Sequence, residues 1–192
     1  MVPAADGDLA GRRVLILGHG SIGHATAARL EPFGCEVVGV ARHARAGVHA
    51  IGELPALLGG AGALVNLLPL TRDTRRLVDA AVLAALPDGA LVVNVGRGAT
   101  VDQAALTAEL ASGRLRAVLD VTDPEPLPED DPLWSLPNVL ITSHSAGATE
   151  GGRRAAWALV GDQLRRLVAG APLRNIVRQA AAARAAPKAD SS

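Results

Sequence analysis

The chain has 192 residues with 19 basic and 19 acidic side chains, a length that predicts one domain, or one domain with tails. Zero net charge argues against a nucleic-acid binder, and the single cysteine, Cys35, excludes a disulfide framework and a multi-cysteine metal site, so no metal is predicted. The sequence contains no apolar run of membrane-spanning length and no signal-peptide pattern at its N-terminus, which predicts a cytoplasmic protein without a membrane partner.

Short apolar runs alternate along the chain with longer segments rich in Ala, Leu and Arg. Six of these runs are predicted strands, at 13–18, 36–41, 63–68, 90–95, 116–121 and 139–142. Helices are predicted over 21–30, 74–86, 101–112 and about 150–169. This alternation predicts a Rossmann-type α/β fold, with a doubly wound parallel sheet between two helical layers. We predict an extension over 1–8, the dinucleotide-binding domain over 9–177 and a flexible Ala-rich tail over 178–192.

A glycine-rich turn, Gly18-His-Gly20-Ser-Ile-Gly23, follows the first strand directly and opens the first helix. In the pattern G-x-G-x-x-G, the first glycine permits a tight turn and the second lets a pyrophosphate approach the backbone. The third allows close packing of helix on strand, and the helix N-terminus attracts the phosphates. The pattern alone also occurs in simple packing turns, but between a strand and a helix it predicts dinucleotide binding.

The second predicted strand ends without the acidic residue that an NAD-specific site uses to bind the ribose 2′-hydroxyl. Ala41 stands at that point, followed by Arg42 and Arg45, and Glu36 lies at the opposite end of the strand. Guanidinium groups match phosphate oxygens, so the sequence predicts NADP as the preferred cofactor, with NAD as the alternative. An ordinary solvated basic loop is the competing interpretation.

Three ionisable residues follow three later predicted strands, where a parallel sheet binds its ligands. They are Arg97, Glu125 and His144. An arginine can hold a substrate carboxylate and polarise a carbonyl, and a histidine can exchange a proton with a hydroxyl group. A neighbouring carboxylate would orient the histidine, so the trio suits hydride exchange between a nicotinamide and a 2-hydroxy or 2-oxo acid. Taken singly, each residue also has an ordinary structural explanation.

Five motifs occur in an order that resembles the D-isomer-specific 2-hydroxyacid dehydrogenases. The resemblance covers about Leu9 to Val177 and is carried by Leu9-Ala-Gly-Arg-Arg-Val-Leu-Ile-Leu-Gly-His-Gly-Ser-Ile-Gly23, Leu68-Pro-Leu-Thr-Arg-Asp-Thr74, Asn94-Val-Gly-Arg-Gly-Ala-Thr-Val-Asp102, Leu119-Asp-Val-Thr-Asp-Pro-Glu-Pro-Leu127 and Pro132-Leu-Trp-Ser-Leu-Pro-Asn-Val-Leu-Ile-Thr142. It implies that Arg97, Glu125 and His144 are catalytic. The cofactor contacts it implies are Ser21, Ile22, Arg42, Leu68, Pro69, Val95, Gly96 and Asp120. The full predicted cofactor-binding set adds Gly18, Gly20 and Gly23 from the glycine turn, Arg45 after the second strand, and Gly147. A small 2-oxo or 2-hydroxy acid substrate and a homodimer through the cofactor domain are implied as well.

The sequence departs from the family pattern in three places. Ser143 precedes the candidate catalytic histidine where the family usually has proline, so that peptide is less rigid. The acid that closes the second strand is missing, as in the NADP-preferring members. Only eight residues precede Leu9, where the family carries most of its substrate-binding domain, so we expect that domain to be largely absent.

Two functions therefore stand as hypotheses. The first is a 2-hydroxyacid dehydrogenase in which Arg97, Glu125 and His144 act on the substrate. The second is a non-catalytic dinucleotide-binding module, a sensor or a truncated enzyme without turnover. A short-chain reductase is excluded because that class needs a Tyr-x-x-x-Lys pair and the chain has no tyrosine.

Overall fold

The computed structural model describes residues 8–176, which form two compact units that divide between Gly147 and Ala148. The first unit contains one sheet of seven parallel strands in the order β3-β2-β1-β4-β5-β6-β7. These strands are β1 (Arg13–Leu17), β2 (Glu36–Ala41), β3 (Val48–Ala50), β4 (Ala63–Asn66), β5 (Leu91–Asn94), β6 (Arg116–Leu119) and β7 (Val139–Ile141). All but the last residue of the predicted extension over 1–8, and the whole of the predicted Ala-rich tail over 178–192, lie outside the described residues.

Four α-helices belong to the first unit, namely α1 (Ser21–Leu30), α2 (Leu54–Leu57), α3 (Ala80–Ala84) and α4 (Gln103–Ala111). Single 3₁₀ turns occupy Glu31–Phe33, Ile51–Glu53, Leu58–Gly60, Gly98–Thr100 and Pro132–Ser135. The second unit contains α5 (Glu150–Val168), whose N-cap Thr149 accepts a hydrogen bond from the backbone of Gly152. No helix within residues 8–176 has the length and apolar character needed to cross a membrane.

Alternate residues of β1 supply the cores on the two faces of the sheet. Val14 and Ile16 pack with Ala27 of α1 on one face. Leu15 and Leu17 belong to the larger core on the other face. There, α2, α3 and α4 contribute Leu54, Leu83, Leu106 and Leu110. Burial on both faces explains the continuous apolar sequence of β1, and the predicted Rossmann-type fold with three layers is confirmed.

The structure corrects two predicted elements. The predicted helix over 74–86 is wrong outside Ala80–Ala84, because Arg76 adopts a left-handed conformation with φ of 49° and Asp79 caps the helix start. A seventh strand, Val48–Ala50, was not predicted, since three residues at a sheet edge carry no recognisable apolar run. Five of the six predicted strands end one or two residues earlier than expected, and the residues beyond them form the loops of the candidate site.

Backbone segments meet closely where the chain leaves the carboxyl ends of the strands. A Cβ on Gly96, after β5, would lie 2.8 Å from the carbonyl oxygen of Leu68, after β4. A Cβ on Gly98 would overlap the carbonyl group of Thr122, after β6. These two glycines therefore let three neighbouring loops pack against one another.

We predict that Gly98→Ala destabilises the fold by about 2 kcal/mol, because the added methyl forces the loops after β5 and β6 apart. Urea unfolding followed by circular dichroism measures the difference. Gly59→Ala is the matched control, because a Cβ there meets no atom within 4 Å, and its effect should stay within about 0.5 kcal/mol. Equal stability of the two variants would contradict the packing described here.

Candidate functional site

The strand order reverses its direction between β1 and β4, and open parallel sheets bind their ligands at such a point. The glycine turn lies there. Gly18 has φ of 95°, and a Cβ on it would lie 3.0 Å from the backbone of Leu67, which follows β4. A Cβ on Gly23 would lie 2.6 Å from the carbonyl oxygen of Gly18, so the third glycine brings α1 against the turn.

The start of α1 is open to a ligand. Its N-cap, Gly20, has no side chain to cap the first turn, and a Cβ there would meet nothing within 4 Å. Ser21 and Ile22 open the helix with exposed side chains. Helix N-termini bind anions through their backbone N–H groups and the positive end of the helix dipole. The turn therefore fits the pyrophosphate of a dinucleotide.

The end of β2 carries the two arginines predicted to bind a 2′-phosphate. Arg42 pairs with Asp73 at 3.2 Å, and both side chains are exposed. Arg45 donates a hydrogen bond to the carbonyl oxygen of His19 in the glycine turn. Glu36 lies at the opposite end of the sheet, where it pairs with Arg13 at 2.7 Å. The carboxyl end of β2 thus presents two guanidinium groups, one of them already paired with a carboxylate.

Three buried polar side chains connect the loops after β4 and β5. The Asn66 amide donates to Asn94 Oδ1 at 3.0 Å and to Thr100 Oγ1 at 2.6 Å. The same two asparagines accept hydrogen bonds, each of 3.2 Å, from the backbone N–H groups of Leu68 and Gly96. Satisfied buried networks of this kind hold their members in one geometry. The network sets the paths of both loops.

The predicted residues on these two loops differ in exposure. The Leu68 side chain is buried in the core, whereas Pro69 is exposed. Val95 is half-buried and Arg97 is exposed, with the Arg97 guanidinium donating to the carbonyl oxygen of Gly96 at 2.6 Å. The Arg97 carbonyl accepts a hydrogen bond of 2.6 Å from Thr100 Oγ1. The backbone of Arg97 is therefore held while its side chain faces solvent.

The structure brings Glu125 and His144 into direct contact. Glu125 Oε1 lies 2.7 Å from His144 Nδ1, although the residues come from the separate loops after β6 and β7. Both side chains are half-exposed, and His144 adopts a left-handed backbone conformation with φ of 54°. A carboxylate at Nδ1 favours the tautomer that carries its proton there and leaves Nε2 free for a substrate.

Asp120, at the end of β6, holds the loop that carries His144. Its carboxylate accepts hydrogen bonds from Thr142 Oγ1 at 2.6 Å and from the backbone N–H groups of Ser145 at 2.9 Å and Ala146 at 3.0 Å. The N–H group of His144 donates to the carbonyl oxygen of Asp120 at 2.9 Å. Burial alone would raise the pKa of this carboxyl, but those three donors and the nearby His144 lower the pKa below its usual value.

The predicted catalytic residues therefore meet only in part. Glu125 and His144 form a bonded pair, while Arg97 reaches the same sheet edge from the adjacent strand and bonds to Gly96 instead. Gly147 ends the loop of His144 and has space around it. Within residues 8–176, no group of three or more His, Cys, Asp or Glu is arranged to hold a metal ion.

Sequence reasoning missed the residues that position this site. They are Asn66, Asp73, Asn94, Thr100 and Thr142. A signal exists for the two asparagines, because each ends an apolar strand and a polar residue buried there needs hydrogen-bond partners. No comparable signal marks Asp73, whose partner is 31 residues away in the chain.

Comparison with known proteins identifies the relatives of this domain. Residues 4–146 match the family model "D-isomer specific 2-hydroxyacid dehydrogenase, NAD binding domain". Among solved structures, the chain is similar to a D-isomer specific 2-hydroxyacid dehydrogenase from Xanthobacter autotrophicus Py2 in complex with NADPH and MES. The identity is 42%, the TM-score is 0.81, and the match covers 91% of this chain and 74% of that one.

Two further relatives have named activities. An NADPH-dependent glyoxylate/hydroxypyruvate reductase from Sinorhizobium meliloti, in complex with NADP and sulfate, is 36% identical with a TM-score of 0.79, covering 90% of this chain and 57% of that one. The D-3-phosphoglycerate dehydrogenase of Methanocaldococcus jannaschii is 31% identical over 177 residues, which is 88% of this chain and 34% of that protein. The chain spans between 31% and 53% of the length of the first curated relatives it matches.

We predict that Asp120→Asn lowers the free energy of unfolding by about 2 kcal/mol at neutral pH, because three donors lose a charged acceptor. The low pKa of Asp120 stabilises the fold above the unfolded-state value of about 4, and this contribution is lost as pH falls through the folded-state pKa. The difference between the two proteins should therefore shrink below about pH 4. Urea unfolding across pH measures it.

Asp130→Asn serves as the control for this substitution, because Asp130 is exposed in the loop between β6 and the 3₁₀ turn Pro132–Ser135. It should leave stability within about 0.5 kcal/mol at every pH. A difference between Asp120→Asn and the unmodified protein that stayed constant down to low pH would show that the charge of Asp120 contributes nothing.

Proposed function

The chain belongs to the D-isomer specific 2-hydroxyacid dehydrogenases through their NAD-binding domain, and on that premise we propose that it transfers hydride between NAD(P)H and a small 2-oxo or 2-hydroxy acid. The observation that carries the proposal is the 2.7 Å contact between Glu125 and His144 at the sheet edge where ligands bind. A domain that only bound a dinucleotide would not need an oriented imidazole there.

The glycine turn and the open start of α1 would hold the cofactor pyrophosphate through backbone N–H groups. When bound, the nicotinamide supplies a hydride to C2 of the 2-oxo acid, or accepts one in the reverse direction. The loops after β4 and β5 would form the walls beside it, and the network of Asn66 and Asn94 keeps both loops in place.

His144 is the proposed acid and base. In reduction, Nε2 donates its proton to the carbonyl oxygen as C2 gains the hydride, and in oxidation the same nitrogen accepts the proton of the hydroxyl group. Glu125 bonds Nδ1 throughout, which orients the ring. Asp120 acts on this step as a positioning residue, because it fixes the backbone on which His144 stands.

Arg97 is the proposed substrate-binding residue. Its guanidinium is exposed at the same edge as His144, and one of its N–H groups donates to the Gly96 carbonyl while the remaining donors are available to a ligand. A guanidinium can bind the carboxylate of the acid by two parallel hydrogen bonds and polarise the carbonyl beside it. The acid would then lie between Arg97 and the His144 imidazole.

The cofactor proposed is NADP, with NAD as the weaker alternative. Support comes from Ala41, Arg42 and Arg45 at the end of β2, where no acidic residue stands to bind a ribose 2′-hydroxyl. The similar enzymes from Xanthobacter and Sinorhizobium are described in complex with NADPH and NADP, respectively. A homodimer formed through this domain and a cytoplasmic location remain predictions from the resemblance and the sequence.

The first test is turnover. We expect the protein to oxidise NADPH with glyoxylate or hydroxypyruvate, and His144→Gln to lower kcat at least about 100-fold without weakening cofactor binding. His49→Gln is the matched control. His49 lies on β3, at the edge of the sheet opposite the proposed catalytic loops, and its ring contacts Glu53. Tight nucleotide binding with no turnover on any 2-oxo acid would favour the non-catalytic module instead.

The second test is cofactor preference. Titration calorimetry should show tighter binding of NADP than of NAD, and Ala41→Asp should reverse the order because a carboxylate repels the 2′-phosphate and accepts from the 2′-hydroxyl. Ala41→Asn has the same shape without the charge and should retain the preference for NADP. Comparable or tighter binding of NAD by the unmodified protein would contradict the cofactor assignment.

A further inference from the structure

A cleft of about 370 Å³ opens beside the glycine turn, between the start of α1 and the connection from β2 to β3. Its lining includes His19, Ser21, His24, Arg45 and Val48. The volume lies in the range of small-molecule sites, roughly 300–1,000 Å³. Three of these side chains can carry positive charge, and none of the residues that line the cleft within the described chain bears a carboxylate.

The side chains of His19, His24 and Arg45 come from three different segments and lie close to one another. The rings of His19 and His24 meet edge to face, with 6.1 Å between their centroids. The Arg45 guanidinium reaches from the β2–β3 connection to the carbonyl oxygen of His19. This combination of imidazole and guanidinium donors next to an open helix N-terminus has the chemistry of a phosphate site.

A glycine in β2, Gly39, leaves room for the His19 ring. A Cβ on Gly39 would lie 2.5 Å from Cδ2 of His19, so the ring packs directly on the strand. Glycine weakens a strand interior and often marks a place where another group approaches closely. Gly39 therefore holds His19 at the wall of the cleft, where a larger residue would displace it.

We propose that His19, His24 and Arg45 form the pocket for the 2′-phosphate of NADP, with the two histidines as specificity-determining residues. The inference rests on the proposed dinucleotide binding, because the turn that binds the pyrophosphate also supplies His19. Arg42 is already paired with Asp73 at 3.2 Å, whereas the His19 and His24 rings form no ion pair among residues 8–176.

The protonation of His19 couples this pocket to pH. Burial, the positive charge of Arg45 and the nearby His24 lower the pKa of His19 below its usual value, so the ring favours its neutral form in the free protein. A bound phosphate dianion raises that pKa again, so NADP binding takes up a proton and is favoured at lower pH. Arg45 and His24 are the charged or titratable side chains whose charges act on His19, and both line the cleft with it.

The test compares Kd for NADP and NAD by titration calorimetry on the full chain. The double substitution of His19→Gln and His24→Gln is expected to weaken NADP binding at least about tenfold, because two donors to a charged phosphate are lost. The affinity of the double variant for NAD should differ from that of the unmodified protein by less than about twofold, since NAD carries no 2′-phosphate. His49→Gln is the matched control and should alter neither value.

A pH series separates a phosphate contact from a packing role. The advantage of the unmodified protein over the double variant in NADP binding should be larger at about pH 6 than at about pH 8, because NADP binding takes up a proton at His19, whose pKa is lowered in the free protein. Arg45→Gln, on an exposed loop, gives the same comparison of NADP with NAD if the double variant fails to fold.

Equal weakening of NADP and NAD binding, or no weakening of either, would overturn the inference. NADP-selective binding that depends on His19 and His24, in a protein without turnover, would support this pocket and contradict only the proposed catalysis. Failure of the unmodified protein to bind either nucleotide would overturn both proposals. The outcomes for the pocket and for the reaction are therefore distinguishable.

Discussion

The hydrogen bond between the buried amides of Asn66 and Asn94 is the interaction on which the rest of the site depends. Two polar side chains within an apolar sheet are costly unless every group finds a partner. Here the partners are each other, Thr100 Oγ1 and the N–H groups of Leu68 and Gly96. Satisfying the two amides therefore determines how the chain leaves β4 and β5, and so where the nucleotide crevice and the Arg97 loop lie.

Beyond that network, each loop at the carboxyl edge of the sheet is held by contacts with the loop of the neighbouring strand. Gly96 lies against Leu68, and Gly98 lies against Thr122, so the loop of Arg97 rests on the loop that leads to Glu125. The next contact is made by Asp120, whose carboxylate and carbonyl bind the loop of His144. Each step joins adjacent parallel strands, which explains how three side chains far apart in sequence reach one edge.

The part of the sheet edge around the glycine turn has a different character, because its glycines leave room for neighbouring groups. The glycine turn is open because Gly20 leaves the first turn of α1 uncapped by a side chain, and Gly39 makes room for His19 beside it. Arg45 lines the cleft beyond the end of β2, and none of the lining residues in the described part of the chain bears a carboxylate. The edge that carries Glu125 and His144 thus depends on satisfied hydrogen bonds, whereas the edge beside the glycine turn keeps backbone donors exposed at the start of α1.

The sequence by itself determined the fold class, the spans of α1 and β2, and the positions of Arg97, Glu125 and His144 after their strands. Local patterns suffice there, because apolar periodicity and glycine spacing are properties of neighbouring residues. Only the tertiary structure decided that 74–79 is not helical, that β3 joins the edge, and which side chains meet. Asn66 and Asn94 are 28 residues apart, and Glu125 and His144 are 19 apart, so sheet register and loop path set their contacts. Those depend on packing across the whole domain, which no local pattern encodes.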